Sequence, residues 1–207
     1  PMLPWKFSQL GPGLAIGDVN GDGLEDLYMG GAAGQSGMLF LHEPNGRFRP
    51  VPQASLEADK TSEDMGALFF DADGDGDLDL YVVSGGVECE PGDPVLRDRL
   101  YLNDGKGKFQ KAPAGALPDL RDSGSVVAAA DFDRDGDLDL FVGGRCIPGR
   151  YPLTPNSRLL RNDHGQFAEV TDRIAPNLRQ SGLVTSAVWS DVNDDGWPDL
   201  LVTHEWG

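Results

Sequence analysis

The sequence predicts an all-β fold of repeated four-stranded antiparallel units, and three observations predict it. A ten-residue pattern, D-x-[DN]-x-D-G-x-x-D-L, occurs four times: DVNGDGLEDL at 18–27, DADGDGDLDL at 71–80, DFDRDGDLDL at 131–140 and DVNDDGWPDL at 191–200. The copies open 53, 60 and 60 residues apart, a period typical of stacked units, propeller blades among them. Around each copy, short runs rich in β-branched and aromatic residues recur in constant order, which reads as strand.

Within a unit, strand A precedes the acidic loop (GLAIG, GALFF, VVAAA, SAVWS) and strand B follows it (DLYMGG, DLYVVSGG, DLFVGG, DLLVTH). Strand C (MLFLH, RLYLN, RLLRN) ends in a PNG, DGKG or DHG turn, and strand D (RFRPV, KFQKA, QFAEV) closes the unit. The expected organisation is an N-terminal extension at 1–12, blades at 13–52, 66–112 and 124–171, and strands A and B of a fourth blade at 185–207. That makes about three and a half blades.

The acidic loop has the composition of a divalent-cation site. In the second copy Asp71, Asp73 and Asp75 stand at positions 1, 3 and 5, Gly76 permits a sharp turn, Asp77 offers its carbonyl at position 7, and Asp79 stands at position 9. An all-oxygen shell of that size suits Ca²⁺. Mg²⁺ prefers to keep its waters, and zinc or copper calls for His or Cys, which no copy contains. Without a cation, carboxylates about 4 Å apart repel by roughly 4 kcal/mol per pair at an effective dielectric near 20. An EF-hand would need Glu at position 12 between two helices, but that position holds Met29, Val82, Val142 and Val202, inside strand-like runs.

Composition agrees with this reading. The 207 residues carry a net charge of −17, and eighteen of the 34 acidic residues lie in the four loops, so four Ca²⁺ would bring the charge to −9. No basic patch invites nucleic acid, and no apolar run is long enough to span a membrane. The opening PMLPWKFSQLGPG has neither an initiator Met nor a signal-peptide layout, and reads as part of a longer protein. Cys89 and Cys146 are expected on loops of neighbouring blades, where a disulfide and two free thiols are both open.

The four loops, the Gly-Gly pairs at 30–31, 85–86 and 143–144, and phrases such as QLGPGLAIGDVNGDG resemble the FG-GAP or VCBS repeat family. That family comprises the integrin-α-like calcium-loop β-propellers, and the bacterial branch related to cartilage acidic protein is the nearest in phrasing. The resemblance covers nearly the whole chain and implies a segment of a propeller that usually has seven blades. It also implies metal ligands at positions 1, 3, 5, 7 (through the carbonyl) and 9. Here these are Asp18, Asn20, Asp22, Leu24 and Asp26; Asp71, Asp73, Asp75, Asp77 and Asp79; Asp131, Asp133, Asp135, Asp137 and Asp139; and Asp191, Asn193, Asp195, Trp197 and Asp199.

Strand order puts the A–B and C–D turns at one end of a blade and the B–C and D–A connections at the other. The C–D turns read as structural. The B–C loops at 84–98 and 143–157 are long and rich in Gly and Pro, and ligand binding is expected there, with Glu88, Asp93, Arg97, Asp98, Arg145, Arg150 and Tyr151 as candidates. No G-x-S-x-G, G-x-G-x-x-G or H-E-x-x-H motif occurs, so no enzyme is expected. His42 and His164 read as surface residues, His204 with Glu205 as a weak metal or acid–base candidate, and Trp189 and Trp197 as inter-blade packing. The function expected is a calcium-stabilised scaffold, extracellular, cell-surface or periplasmic, that binds a protein. The alternative is a carbohydrate-binding or polysaccharide-processing module. Bare terminal blades predict self-association, with Trp5 to Leu10 as the one spare strand segment.

Overall fold

The computed structural model describes residues 10–205. Among these, fourteen strands form three four-stranded antiparallel sheets and one two-stranded sheet. Blade 1 comprises β1 (Leu14–Gly17), β2 (Asp26–Met29), β3 (Met38–His42) and β4 (Phe48–Val51). Blade 2 comprises β5 (Glu63–Phe70), β6 (Asp79–Gly85), β7 (Arg99–Asn103) and β8 (Phe109–Lys111). Blade 3 comprises β9 (Ser123–Ala130), β10 (Asp139–Cys146), β11 (Arg158–Arg161) and β12 (Ala168–Glu169). Blade 4 consists of β13 (Val184–Ser190) and β14 (Asp199–His204). Each sheet follows chain order, as successive hairpins require. Apart from Leu10, the spare segment Trp5 to Leu10 lies outside the described residues.

The core lies between blades. Ala15, Tyr28 and Leu39 of blade 1 pack on Phe69, Val82, Tyr101 and Phe109 of blade 2. Phe70, Tyr81 and Leu100 of blade 2 meet Leu140, Val142 and Phe167 of blade 3, and Phe141, Leu159 and Val184 join blade 3 to blade 4. The A strands β1, β5, β9 and β13 neighbour one another in succession. Their approach is close enough to require glycine: a Cβ on Gly13 would lie 2.7 Å from the Gly66 carbonyl carbon, and one on Gly66 would lie 2.7 Å from the Ser125 carbonyl oxygen. Trp189 reads correctly as inter-blade packing, since it stacks on Phe132 and donates its indole N–H to the Ala128 carbonyl at 3.2 Å.

Several boundaries differ from the sequence reading. Strand A of blade 2 begins at Glu63 instead of Gly66, because a register shift between Asp64 and Gly66 lets two polar residues continue the ladder. Strand B of blade 3 does not end at Gly143-Gly144. Irregularities there carry it on to Cys146, so Arg145 and Cys146 are buried strand residues and not part of a B–C loop. Both thiols are free, and Cys146 Sγ lies 3.6 Å from Ser123 Oγ. Gly143 and Gly144 sit at the register shifts, where a residue without a side chain lets the strand bulge and continue.

Candidate metal centre

Each acidic loop joins strand A to strand B and wraps its own backbone N–H groups around its carboxylates. The position-1 carboxylates hold the position-6 glycine amide in all four: Gly23 N donates to Asp18 Oδ2 at 2.7 Å, Gly76 N to Asp71 at 3.0 Å, Gly136 N to Asp131 at 3.1 Å and Gly196 N to Asp191 at 2.8 Å. Position 5 accepts from position 7. Leu24 N, Asp77 N, Asp137 N and Trp197 N donate to Asp22, Asp75, Asp135 and Asp195 at 2.8 to 3.0 Å. At position 3, Asn20, Asp73 and Asn193 accept from the amides of Asp22, Asp75 and Asp195. Such local turns curl a chain of alternating carboxylates around a common interior.

The position-9 carboxylates close the loops. Asp26, Asp79 and Asp139 are buried, and each takes one N–H from position 2 of its loop (Val19, Ala72, Phe132) and one from the end of strand C (His42, Asn103, Asn162). Asp199 accepts from Val192 N at 3.0 Å and is half-buried. Position 4 is left-handed throughout. Gly21 and Gly74 adopt this conformation freely, while Arg134 (φ 62°) and Asp194 (φ 59°) are non-glycine residues held in it. The ligand pattern gave no hint of this position, although Gly at two of the four copies was a signal.

One oxygen each from Asp71, Asp73 and Asp79 lie within 4.8 Å of one another, and so do oxygens of Asp131, Asp133 and Asp139. Burial, backed by Asp73 and Asp75, raises the Asp79 carboxyl to about 6. Burial, with Asp133 and Asp135 nearby, does the same for Asp139. Asp26, Asp73 and Asp133 are also raised, first by burial and then by neighbouring carboxylates. Carboxylates gathered this closely resist ionising together, and the donor set is purely hard oxygen. It fits a divalent ion of the Ca²⁺ type.

A third group, Asp137, Asp163 and His164, has its ligand atoms equally close, with His164 Nδ1 2.9 Å from Asp137 Oδ2. It reflects a turn in which His164, at φ 49° and exposed, donates its backbone N–H to that carboxylate. His42 is half-buried and stacks on Phe48 with ring centroids 4.6 Å apart. The pairing of His204 with Glu205 is overturned. His204 Nε2 lies 3.0 Å from Ser181 Oγ, while Glu205, just past the end of β14, accepts from Arg145, so the two side chains are held by different partners. Trp197 lies under the Arg134 guanidinium, 3.6 Å from its ring centroid, and so ties loop 4 to loop 3.

At the opposite end, several candidate ligand residues turn out to hold the frame together. Asp93 caps the 3₁₀ turn Pro94–Leu96 through Val95 N, Asp98 accepts from Tyr81 Oη and Ser84 N, and Arg145 pairs with Glu205. Glu88 and Arg150 are exposed, Tyr151 is half-buried, and Arg97 reaches Asp119. Arg97, Lys111 and the prolines 94, 113 and 118 help line a cleft of about 690 Å³ between the second B–C loop and the 112–119 connection.

A family model described as "FG-GAP-like repeat" matches residues 18–82 and 91–142. Cartilage acidic protein 1 of Mus musculus is 26% identical over 204 residues, covering 94% of this chain and 29% of that protein. Its Homo sapiens counterpart is 25% identical over 205 residues (94% and 28%), and integrin alpha-V of Gallus gallus is 29% identical over 230 residues (94% and 20%). The chain therefore spans less than a third of the length of these relatives.

Proposed function

The chain belongs to the FG-GAP-like repeat family, and from that premise we propose that it is a calcium-stabilised segment of a β-propeller that serves as an extracellular, cell-surface or periplasmic scaffold for binding another protein. The observation that carries the metal assignment is the wrapping repeated in all four loops, with position-1 and position-5 carboxylates drawing the backbone inward at the same places. The ligands proposed are the side chains at positions 1, 3, 5 and 9 and the carbonyls of Leu24, Asp77, Asp137 and Trp197. When bound, the ion would neutralise crowded carboxylates and rigidify one end of each blade. It would take no part in a reaction.

Ligand binding is proposed at the other end, where the B–C and D–A connections meet. The cleft beside Arg97 and Lys111 mixes both charges with proline and small apolar side chains, as protein-binding surfaces do. No aromatic residue is among the described residues lining it, so it offers no ring on which a sugar could stack. No helix among the described residues is long and apolar enough to cross a membrane. Calorimetric titration with Ca²⁺ tests the metal assignment: about four ions per chain are expected, and none would refute it. A combined protein and glycan array, probed in millimolar calcium with the chain and with its Arg97→Glu/Lys111→Glu variant, tests the surface. Protein hits that the variant loses are expected, and glycan hits that it retains would overturn the assignment.

A further inference from the structure

The last residue of strand C touches two acidic loops at once. Asn103 is buried and donates from Nδ2 to the Val19 carbonyl of loop 1 at 2.7 Å and to the Leu78 carbonyl of loop 2 at 3.0 Å. Its backbone N–H donates to Asp79 Oδ1 of loop 2 at 2.8 Å, and its own Oδ1 accepts from Asp104 N and Gly107 N. The side-chain amide thus fills both donor and both acceptor positions. Asn162 repeats the arrangement one blade on, with Nδ2 to the Ala72 carbonyl of loop 2 at 2.8 Å and to the Leu138 carbonyl of loop 3 at 3.2 Å, and its N–H to Asp139 Oδ1 at 2.8 Å. The C–D turns follow the same route: a Cβ on Gly107 would touch Val19 and Asn20, and one on Gly165 would touch Asp73.

The linked carbonyls are not peripheral. Val19 and Ala72 occupy position 2, between the first two metal-ligating side chains, and their N–H groups are already held by Asp26 and Asp79. The peptide segment that aims positions 1 and 3 is therefore clamped on one side by its own loop and on the other by the asparagine of the next blade. We infer that Asn103 and Asn162 are positioning residues that couple the calcium sites of loops 1, 2 and 3. A cation that orders one loop holds the asparagine, and the asparagine holds the neighbouring loop in its binding geometry. Coupling of this kind is reciprocal. The inference rests on the calcium reading above.

The set has defined ends. In blade 1 the asparagine position is His42, whose ring stacks on Phe48. Loop 4 reaches loop 3 through Arg134, which donates to the Gly196 carbonyl and covers Trp197, with no asparagine between them among the described residues. Loops 1 to 3, which share the asparagine link, should fill together.

The position-6 amides of Gly23, Gly76, Gly136 and Gly196 report on each loop separately, so the test is a Ca²⁺ titration of the whole chain followed by amide NMR. In the unaltered chain the first three are expected to shift together, with a Hill coefficient above 1. In Asn103→Ala, Gly23 should need at least about fivefold more calcium, the lower end of usual coupling, while Gly76 and Gly136 still move together. A general loss of fold would not give that split. Gly23 staying with Gly76 within twofold would overturn the inference. Should Asn103→Ala not fold, Asp75→Ala removes an exposed ligand from loop 2 and leaves both asparagines in place. Loops 1 and 3 should then weaken at least about fivefold, and unchanged affinities there would overturn the coupling. Independent filling of all loops in the unaltered chain would overturn the coupling alone, whereas no calcium-dependent shift at all would overturn the calcium reading and the coupling with it.

Discussion

Replacing Asp64 by Ala should cost about 4 kcal/mol of folding stability and leave calcium binding untouched. Asp64 lies at the start of β5, at the end of the blade away from the acidic loops, with its side chain 3% exposed. Its Oδ1 faces Arg99 Nη2 at 2.6 Å, and its Oδ2 accepts from Tyr28 Oη and from Gly31 N at 2.7 Å each. One carboxylate thereby locks strand B of blade 1 to strands A and C of blade 2. Burial opposes the charge on Arg99, but Asp64, together with Tyr101 and Tyr28, offsets it and raises the guanidinium above its ordinary value. Truncation leaves that charge buried without the carboxylate it pairs with, and unpairing a buried charge costs about 3–5 kcal/mol. The two neutral donors, Tyr28 Oη and Gly31 N, can take water entering the vacated space in place of the carboxylate, which keeps the total near the middle of that range. Against a total stability of about 5–15 kcal/mol this is a large loss. Urea unfolding in saturating calcium measures it, and the double variant Asp64→Ala/Arg99→Leu, which removes the stranded charge, should recover roughly half. A loss below about 1 kcal/mol, or a double variant no more stable than the single, would refute the reasoning.

Chelation should lower the melting temperature: at 1 mM calcium and a dissociation constant of ~10⁻⁴ M each site contributes roughly 1.4 kcal/mol, so superimposable melts in EGTA and in calcium would sink the metal assignment. Asp98 is raised from 3.8 to about 7, by burial foremost. The folded state thus binds its proton more tightly than the unfolded state, and the resulting stability is full below about pH 4 and lost as pH rises through about 7. The stability difference between the unaltered chain and Asp98→Asn in saturating calcium should fall across that window, and a flat difference would contradict it. Gly66→Ala should destabilise by about 1–3 kcal/mol by driving a methyl group against the β9 backbone, as urea unfolding will show; a neutral effect would mean that the inner strands yield. Leu14, Ile16, Met29 and Phe48 of blade 1 are exposed at the positions where blade 2 half-buries Ala67 and buries Phe69, Val82 and Phe109, and Val188, Val192 and Leu201 are exposed on blade 4. Sedimentation equilibrium at micromolar concentration should therefore show self-association, and a clean monomer would rule it out.

The repeat was legible in the sequence because it is written in local chemistry. Alternating carboxylates, a glycine at position 6 and flanking period-2 runs need only a few neighbours to declare an acidic loop between two strands, and four copies at near-constant spacing declare a stack of blades. The hairpin order within each blade followed from the constant succession of strand-like runs and turns. The pairing partners of single polar residues came from the tertiary structure. Asp64, Asp98, Asp122 and Arg145 look alike in sequence as charged residues near loops. Yet Asp64 locks two blades, Asp122 holds Arg158 and Asn156, and Arg145 is buried against Glu205, which makes it frame and not ligand surface. Asn103 and Asn162 are the plainest case. As the ends of RLYLN and RLLRN they read as strand-to-turn residues, and their bonds to Val19 and Ala72 span 84 and 90 positions of chain. Only the stacking of one blade on the next brings such groups together, because that stacking is driven by non-directional burial of Phe69, Tyr101, Leu140 and Phe167, which fixes a distance between blades without specifying which polar atoms will meet across it.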